Sequence, residues 1–526
     1  MGFSQQGNTF KTDGFRAIQI PNESLGISGL DEGTISSITS TSSLWQLRSF
    51  LGRVNYNYKS KYLFTANYRS DGSSRFNKAN KWAYFPSGSF AWRLTDEKFI
   101  KNLASSMKLD EGKIRIGYGK TGNNRVNDFS NLSVITTSGI RNTYSFNNGV
   151  PGTSAVISSV GNDELKWETT DQSNLGIDLT FLNKKLSFTA DVYLKITKDL
   201  LINTSLPTLS GYGSILRNTG KVENKGLEFS LNYKVIESKD FSWVSNFNIS
   251  FNRNRIIQLS DNQEAIRFTL GNRLAGSTAH SISKVNNPIG TFHGYLWDGI
   301  YQLSDFDLLA NGTYLLKANI PTNGNTRSLI LPGDIKYKDL NNDGIVNAAD
   351  NTIIGDPNPT HYGGINNNFH YKNFELNLFF QCTYGNQIFN LNRLIFEGGG
   401  EFPRNLNQYA TVVNRWTPEN TNTLMPRFRS GSNLFTNVFS SRYVEDGSYL
   451  RLKTVNFAYN FSYNLLKKIL MKSGQVYFSA QNLYTWTKYS GYDPEVSVVS
   501  NALAPGIDFS SYPRNRIYTA GLNFTF

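Results

Sequence analysis

The sequence predicts an all-β chain, specifically an antiparallel transmembrane β-barrel segment with long loops on one side. Three observations predict it: segments that alternate apolar and polar side chains, no run of eighteen or more apolar residues, and connections that alternate between short and long. A strand that crosses a bilayer in a barrel points every second side chain to lipid, which produces the alternation. A membrane helix needs the long apolar run, so strands are the only elements here that could cross a bilayer.

The amino-acid composition fits the same fold class. Aromatic residues make up 14% of the chain (Phe 36, Tyr 28, Trp 8), whereas charged residues make up only 18%. Mean hydropathy is −0.39 in spite of these aromatics. A polar lumen face that alternates with a lipid face carrying aromatic girdles gives this balance.

Thirteen segments show the strand pattern. In residues 186–196, for example, Leu186, Phe188 and Ala190 alternate with Ser187, Thr189 and Asp191, and residues 374–384 behave in the same way. Charged side chains fall on the polar face, because Lys or Arg on the lipid side at mid-bilayer would cost about 2–4 kcal/mol. The predicted strands are 47–58, 61–71, 83–94, 111–120, 172–182, 185–197, 221–236, 240–252, 361–372, 373–385, 449–461, 473–484 and 514–526.

The connections between these strands indicate sidedness. Tight turns such as Lys59-Ser60 and Lys372-Asn373 alternate with long segments such as 253–360 and 386–448, and two intermediate connections read as short helices. Barrels of the outer membrane keep short turns in the periplasm and long loops outside. The strand at 449–461 changes register near Lys453-Thr454, which predicts a β-bulge there.

Charge and reactive residues exclude several function classes. The net charge is +13, but Lys and Arg are scattered through the strands rather than gathered on one arm or helix, which argues against nucleic-acid binding. Such a basic surface could instead meet anionic lipid of the outer membrane. Cys382 is the single cysteine, and the four histidines lie in no nucleophile motif, so the chain is not predicted to be an enzyme.

One segment has the spacing of a calcium-binding loop. Residues 339–350 read DLNNDGIVNAAD, with a glycine at the sixth place for the sharp turn and aspartate at the twelfth, where glutamate is usual. The shorter twelfth side chain implies modest affinity, suited to extracellular calcium, and the alternative is an Asx-rich turn without an ion. The predicted ligands are Asp339, Asn341, Asp343, the Ile345 carbonyl, Asn347 and Asp350.

The predicted loops also carry many aromatic rings beside Asn, Asp and Arg. Flat rings and amides suit sugars or peptides, but loop packing and interface girdles use the same residue types. No single ring is therefore assigned to a ligand. The aromatic residues in question are Trp297, Tyr301, Tyr362, Phe396, Tyr409, Trp416, Phe428 and Tyr492.

A series of short motifs carries a family resemblance, and the C-terminal strand, which ends on Phe526, looks like the terminal recognition signal of bacterial outer-membrane proteins. The motifs are YRSDGSSRF at 68–76, FPS at 85–87, IGYGKTGN at 116–123, LKWE at 165–168, NTGKVENKG at 218–226, GDIKY at 333–337, AQNL at 480–483 and YSGYDP at 489–494. In this order they resemble the SusC/RagA family of TonB-dependent outer-membrane transporters, over nearly the whole chain.

The resemblance implies a fold and a set of partners. Such barrels have 22 strands around an N-terminal plug, so residues 1–526 are expected to form the C-terminal portion, about 13–14 strands without plug or TonB-contacting segment. Residues 253–360 would be a long extracellular loop that contains the calcium-loop-like segment 339–350. The implied partners are a SusD-like surface lipoprotein, outer-membrane lipid, TonB through the missing plug, and an oligosaccharide or peptide ligand.

The expected function is TonB-dependent uptake of such a nutrient across the outer membrane, with this chain as the barrel part. Two alternatives from other classes stay open. One is a passive channel with a self-sufficient fourteen-strand barrel, and the other is a soluble all-β protein that binds glycans.

Overall fold

The computed structural model describes residues 1–136, 143–144, 149, 152–153, 155–260, 263–270, 280–397, 407–428, 438–499 and 501–526. Fourteen long strands form one sheet in which every strand neighbours the next one along the chain. The strands are β1 Gly2–Ile18, β2 Thr34–Tyr58, β3 Tyr62–Ser73, β4 Trp82–Arg93, β5 Leu109–Asn123, β6 Glu168–Phe181, β7 Leu186–Lys198, β8 Lys221–Glu237, β9 Phe241–Gln258, β10 His361–Tyr371, β11 Phe374–Tyr384, β12 Tyr449–Asn460, β13 Ser473–Thr487 and β14 Ile517–Thr525.

The predicted all-β fold class is confirmed, and all thirteen predicted segments are strands. The predicted first hairpin was too short. Strand β1 was not among the thirteen predicted strands, and β2 begins at Thr34 rather than at 47. Residues 34–43 are nearly all Ser and Thr with isolated isoleucines, so they show no alternation of apolar and polar side chains. They are held instead by ladder pairing with β1, such as Phe10 with Ser43 and Thr12 with Thr41.

Short and long connections alternate along the sheet as predicted. The β2–β3 turn places Lys59 and Ser60 at φ 53° and 56°, and two residues with positive φ give the type I′ geometry that matches strand twist. The two intermediate connections contain the short helices α1 Lys101–Ser106 and α3 Tyr463–Lys467. No helix among the described residues has the length and apolarity required to cross a bilayer.

The strand register separates a polar face from an apolar face. In the β10–β11 pair, Gly364 lies opposite Gln381 and Asn368 opposite Asn377, while Phe369 lies opposite Leu376. The predicted bulge is confirmed at Lys453, where the pairing of β12 shifts register against both β11 and β13. The extra residue lets Arg451 and Asn456 share the polar face although they are five positions apart.

Where the structure describes the connections between the long strands, they contain short helices and strands. Helix α2 covers Leu391–Phe396, and 3₁₀ segments cover Glu23–Glu32, which is kinked at Gly26, and Leu94–Asp96, Thr208–Ser210, Leu303–Asp305, Arg327–Leu329, Ala348–Asp350, Ala410–Asn414 and Ser441–Tyr443. The short strands are Val134–Thr136, Thr143–Tyr144, Gly152–Thr153, Val156–Ser159, Leu201–Ser205, Ser214–Asn218, Ala265–Phe268, Ser281–Lys284, Thr291–Gly294, Trp297–Ile300, Phe306–Leu308, Tyr314–Leu316, Ile335–Tyr337, Thr352–Gly355, Gln387–Asn390, Val444–Asp446 and Ile507–Asp508.

The chain divides into two compact units. The first contains residues 1–93, 114–175 and 194–223, and the second contains 94–113, 176–193 and 224–526. In the first unit, Trp167 packs against Phe76 and Phe85 with ring centroids 5.5 and 5.6 Å away, and its indole nitrogen donates to the Lys81 carbonyl. Three of the sequence motifs therefore meet in one small core beneath the loops of this unit.

Candidate functional site

A chamber lies on the polar face of the second unit, at the end of the sheet where its long loops join. Two rungs of the ladder form its wall: Tyr362 opposite Thr383, and Gly364 opposite Gln381. The cavity volume is about 710 Å³. Its lining combines strand residues with loop residues: Asn248, Tyr362, Gly364, Phe379, Gln381, Thr383, Tyr449, Pro357, Pro359, Asn386, Pro494, Glu495, Pro505 and Gly506.

The wall of this loop chamber presents amides and flat rings. The Gln381 amide nitrogen donates to the Tyr449 hydroxyl at 3.2 Å, a bond that uses one of the two hydrogens that the amide can donate. The lack of a side chain at Gly364 leaves space for the Phe379 ring in the wall, because a Cβ there would come within 2.8 Å of that ring. Four prolines in the lining restrict the backbone of the loops. The arrangement suits an uncharged polar ligand that offers hydrogen bonds and a flat or ring-shaped surface.

A buried guanidinium fixes one side of the chamber. Arg451 on β12 is 1% exposed and donates to Asp493 at 2.6 Å, to Glu495 at 2.9 Å and to the Thr485 hydroxyl at 2.9 Å. Asp493 and Glu495 belong to the loop after β13, so the ion pairs hold that loop against the strand. Buried charges of this kind need such partners, because their mutual attraction and hydrogen bonds offset the desolvation penalty of each.

Three long loops of the second unit share a hydrophobic core. Phe292 comes from the loop after β9, Phe389 and Phe439 from the loop after β11, and Ile507 from the loop after β13, and all four are fully or almost fully buried. The rings of Phe389 and Phe439 are stacked, with centroids 3.4 Å apart. We refer to this cluster and the loops around it as the loop core. It makes the roof of the chamber a folded body rather than three separate loops.

Ion pairs lie beside the loop core and join two of its loops, those after β11 and β13. Glu397 accepts from Arg393 at 3.0 Å and from Arg442 at 3.0 Å. Glu445 accepts from Arg393 at 3.1 Å and from the Ser490 backbone nitrogen at 2.9 Å. Ser490 lies in the YSGYDP motif, so this motif is anchored to the loop after β11 through one carboxylate.

Tyr489 of the same motif predicts a pH dependence. Burial, and then its hydrogen bond to the buried Asp508, raise the pKa of the Tyr489 hydroxyl. A folded-state pKa above the unfolded value of about 10 means that stability is fully present below that pH and is lost as the pH rises beyond it. We expect the loop core to lose resistance to unfolding above pH ~10, and Tyr489→Phe to flatten this loss. Protease sensitivity against pH measures both, and identical alkaline profiles for the two proteins would contradict the assignment.

The structure places the predicted calcium residues within one turn. Asp339 accepts from the backbone nitrogens of Asn342 and Gly344, both at 2.7 Å, and Gly344 has the positive φ (82°) of the predicted sharp turn. The fully buried Asp350 accepts from the backbone nitrogens of Leu340 and Asn347, both at 2.8 Å.

The remaining predicted ligands bind one another. Asn341 donates to Asp343 at 2.8 Å, and the Ile345 carbonyl accepts from the Asn347 amide at 3.2 Å. Within the described ranges, no group of three or more His, Cys, Asp or Glu side chains is placed to hold a metal. Calcium binding by residues 339–350 therefore stays a prediction.

The loop aromatics singled out in the sequence divide into two groups. Tyr301 and Trp416 are buried inside the loops, whereas Tyr492 is 85% exposed, and Tyr362 alone among the eight lines the loop chamber. Gln381, Tyr449 and Glu495 were not foreseen as site residues. The signal that could have found Glu495 is its place directly after the YSGYDP motif, because that motif follows a strand end and precedes the last strand.

Fold and chamber together define a β-barrel segment with a polar, loop-covered interior face. The family model described as "TonB dependent receptor-like, beta-barrel" matches residues 2–348. The chain belongs to the TonB-dependent receptor β-barrel family, and the relatives support the predicted SusC/RagA branch. This membership confirms the predicted barrel and the outer-membrane location, and the family is one of receptors rather than enzymes.

Several relatives document the similarity. TonB-dependent receptor P3 of Formosa agariphila is 38% identical over 487 residues, which cover 91% of this chain and 46% of the relative. TonB-dependent receptor SusC of Bacteroides thetaiotaomicron is 30% identical over 489 residues, with 91% and 44% covered. The chain spans about half the length of the curated relatives it matches.

A solved structure shows the same fold. The structure titled "Structure of the RagAB peptide transporter" superposes with a TM-score of 0.77 at 24% identity, and the match covers 100% of this chain and 53% of that one. The RagAB peptide importer in its "open-open" state gives a TM-score of 0.76 at 25% identity, with 100% and 52% covered.

Proposed function

We propose that these strands belong to a transporter that takes up an oligosaccharide or peptide across the outer membrane with energy supplied through TonB. The loop chamber is the observation that carries the proposal. It combines the Tyr362 ring, the Gln381 amide and Gly364, which has no side chain, on the polar face of the strands. A face that lines the lumen and offers rings and amides is suited to polar nutrients too large for simple pores.

The proposed partners follow from the same family. A SusD-like lipoprotein would cover the long loops and deliver ligand, and TonB would act through a plug segment. The name of the RagAB peptide transporter supports this two-component arrangement by analogy. The loop core supports it physically, since a folded roof gives a partner a fixed surface to bind.

Uptake by cells tests the proposal. A strain that lacks the gene is complemented with the unaltered gene or with Tyr362→Ala and Gln381→Ala variants. Growth is then measured on neutral oligosaccharides and on peptides as the sole nutrient. We expect growth on one nutrient class to depend on the gene, and uptake of that nutrient to stop when a protonophore removes the energy source. We also expect the two variants to raise the half-saturating nutrient concentration by about ten-fold, because each loses a ring contact or hydrogen bonds.

Tyr371→Ala is the matched control, because Tyr371 is 50% exposed at the other end of the same strand, while Tyr362 is 43% exposed. Equal effects of the two tyrosine variants would show that the chamber has no special role. Uptake that continues after the protonophore would indicate a passive channel and would contradict the energised mechanism.

The calcium prediction has its own test. Millimolar calcium is expected to protect the loop at 339–350 from chymotrypsin, with protection lost in Asp339→Asn, because a hard cation needs the charged oxygen ligand. Asp307→Asn in the same long loop is the control, since Asp307 is exposed and lies outside the turn. Equal cleavage with calcium and with a chelator would leave the segment as an Asx-rich turn only.

A further inference from the structure

The apolar face of the first unit carries a groove across strands β2 to β5. The small residues Ala66 and Gly88 form its floor, and Ala66 lies opposite Val54 on one side and opposite Gly88 on the other. The cavity volume is about 440 Å³. The walls are apolar and mainly aromatic: Val54, Tyr56, Phe64, Phe90, Ile116 and Tyr118.

The walls of this outer-face groove are ordered by ring contacts but lie open at the surface. Phe64 and Phe90 have ring centroids 4.8 Å apart, and Tyr56 and Phe64 have centroids 6.4 Å apart. Val54 is nevertheless 68% exposed and Ile116 53% exposed. On a barrel in the outer membrane, an exposed apolar face of this kind contacts lipid chains. A groove on that face is open to a single acyl chain.

A cluster of charges continues from the groove. The hydroxyl of Tyr118, a wall residue, donates to Asp171 Oδ1 at 3.1 Å, and Lys198 Nζ donates to Asp171 Oδ2 at 2.7 Å. Lys120 Nζ lies 4.0 Å from the same carboxylate. Two ammonium groups surround one carboxylate, so the cluster has one positive charge in surplus.

The strand directions place this cluster at the outer rim of the membrane. Lys120 lies near the end of β5 and Lys198 at the end of β7, and each of these ends leads into a long connection. Long connections of such barrels are extracellular. Lys120 follows Tyr118 by two positions and Lys198 follows Ile196 by two positions, so both lysines lie on the apolar face. Lysines on that face are tolerated only at the level of the lipid head groups.

We propose that this face binds one phosphorylated glycolipid of the outer leaflet, of the lipid A type, with a phosphate at Lys120 and Lys198 and an acyl chain in the outer-face groove. Tyr118 belongs to both parts, so the head-group site and the groove are continuous. The surplus positive charge complements a phosphate monoester. A zwitterionic phospholipid matches it less well, because it brings its own cation to the site.

Native mass spectrometry of the protein extracted from its outer membrane in mild detergent tests the proposal. The number and mass of retained lipids identify the lipid class. We expect about one phosphorylated glycolipid per protein, and a loss of about ten-fold in occupancy when Lys120→Gln and Lys198→Gln remove both charge-assisted contacts. Gly88→Leu should give a similar loss by filling the groove, because a Cβ there meets nothing closer than 3.7 Å and the strand can accept it.

The control pair is Lys184→Gln with Lys185→Gln, which makes the same change of net charge at the tight β6–β7 turn. Lys184 is 70% exposed and pairs with Glu111 there. Retention of the fold in each variant is checked by the shift in gel mobility on heating. Unchanged glycolipid occupancy in both groove and lysine variants, or retention of zwitterionic phospholipid alone, would overturn the proposal.

Discussion

Replacing Arg451 with methionine is expected to lower the free energy of unfolding of the second unit by about 3–5 kcal/mol, the usual cost of breaking a buried ion pair from one side. Methionine keeps much of the volume but removes the charge. The Asp493 carboxylate, 7% exposed, would then lose a partner at 2.6 Å in a buried environment. The loop after β13 would detach from β12, and the chamber would lose one wall.

Denaturant unfolding and protease mapping of residues 488–516 measure this effect. Lys184→Met is the matched control, because its ion pair with Glu111 is largely exposed and surface pairs contribute about 0–1 kcal/mol. Adding Asp493→Asn to Arg451→Met should restore part of the stability, since a neutral amide is cheaper to bury than an unpaired carboxylate. Glu495 is left unchanged, because it also pairs with Arg514 at 3.1 Å. Equal losses for Arg451→Met and Lys184→Met would show that the buried pairing does not hold the loop.

Truncation of Phe389 to alanine is expected to cost about 3–5 kcal/mol through the cavity that it leaves in the loop core. Phe389 is fully buried and contacts Phe292, Phe439 and Tyr443 with its ring. These partners come from two different loops. The variant should therefore loosen the roof of the chamber as a whole while the strands beneath keep their ladder hydrogen bonds.

Hydrogen exchange measured segment by segment distinguishes loosening of the loops from loosening of the strands. Protection should fall in residues 280–300 and 438–446 and stay unchanged in β10 and β11. Phe428→Ala is the control, because Phe428 is 48% exposed in the same long loop and its truncation removes little buried surface. Loss of protection spread evenly over loops and strands would mean that the loop core is not a separate cooperative unit.

The long strands were predictable because one face of each strand is apolar and the other is polar, so apolar and polar residues alternate locally in the sequence. β7 and β11 alternate apolar and polar residues over their full length, and the structure contains both within a few residues of the predicted bounds. The bulge at Lys453 was predictable for the same reason, since one extra residue shifts that pattern. The first hairpin lacked the pattern, because Ser and Thr side chains fill positions on both faces.

The loop core and the chamber were not predictable in this way. Phe292, Phe389 and Ile507 are far apart in the sequence and have no common period, so only tertiary packing brings them together. The pair of Arg451 with Asp493 joins a strand to a loop 42 positions later. The family motifs marked the right segments, but they did not indicate which side chain meets which.

The extra residue in β12 has a consequence for natural and engineered variants. Deleting Lys453 alone would place Leu452 next to Thr454, and the other residues of β12 would keep their partners on β11 and their faces. Phe457 would stay opposite Leu376, and Asn456 would stay opposite Asn377. A three-base deletion at this codon should therefore be far less damaging than a three-base deletion in a strand without a bulge, such as β10, where all later side chains would change faces.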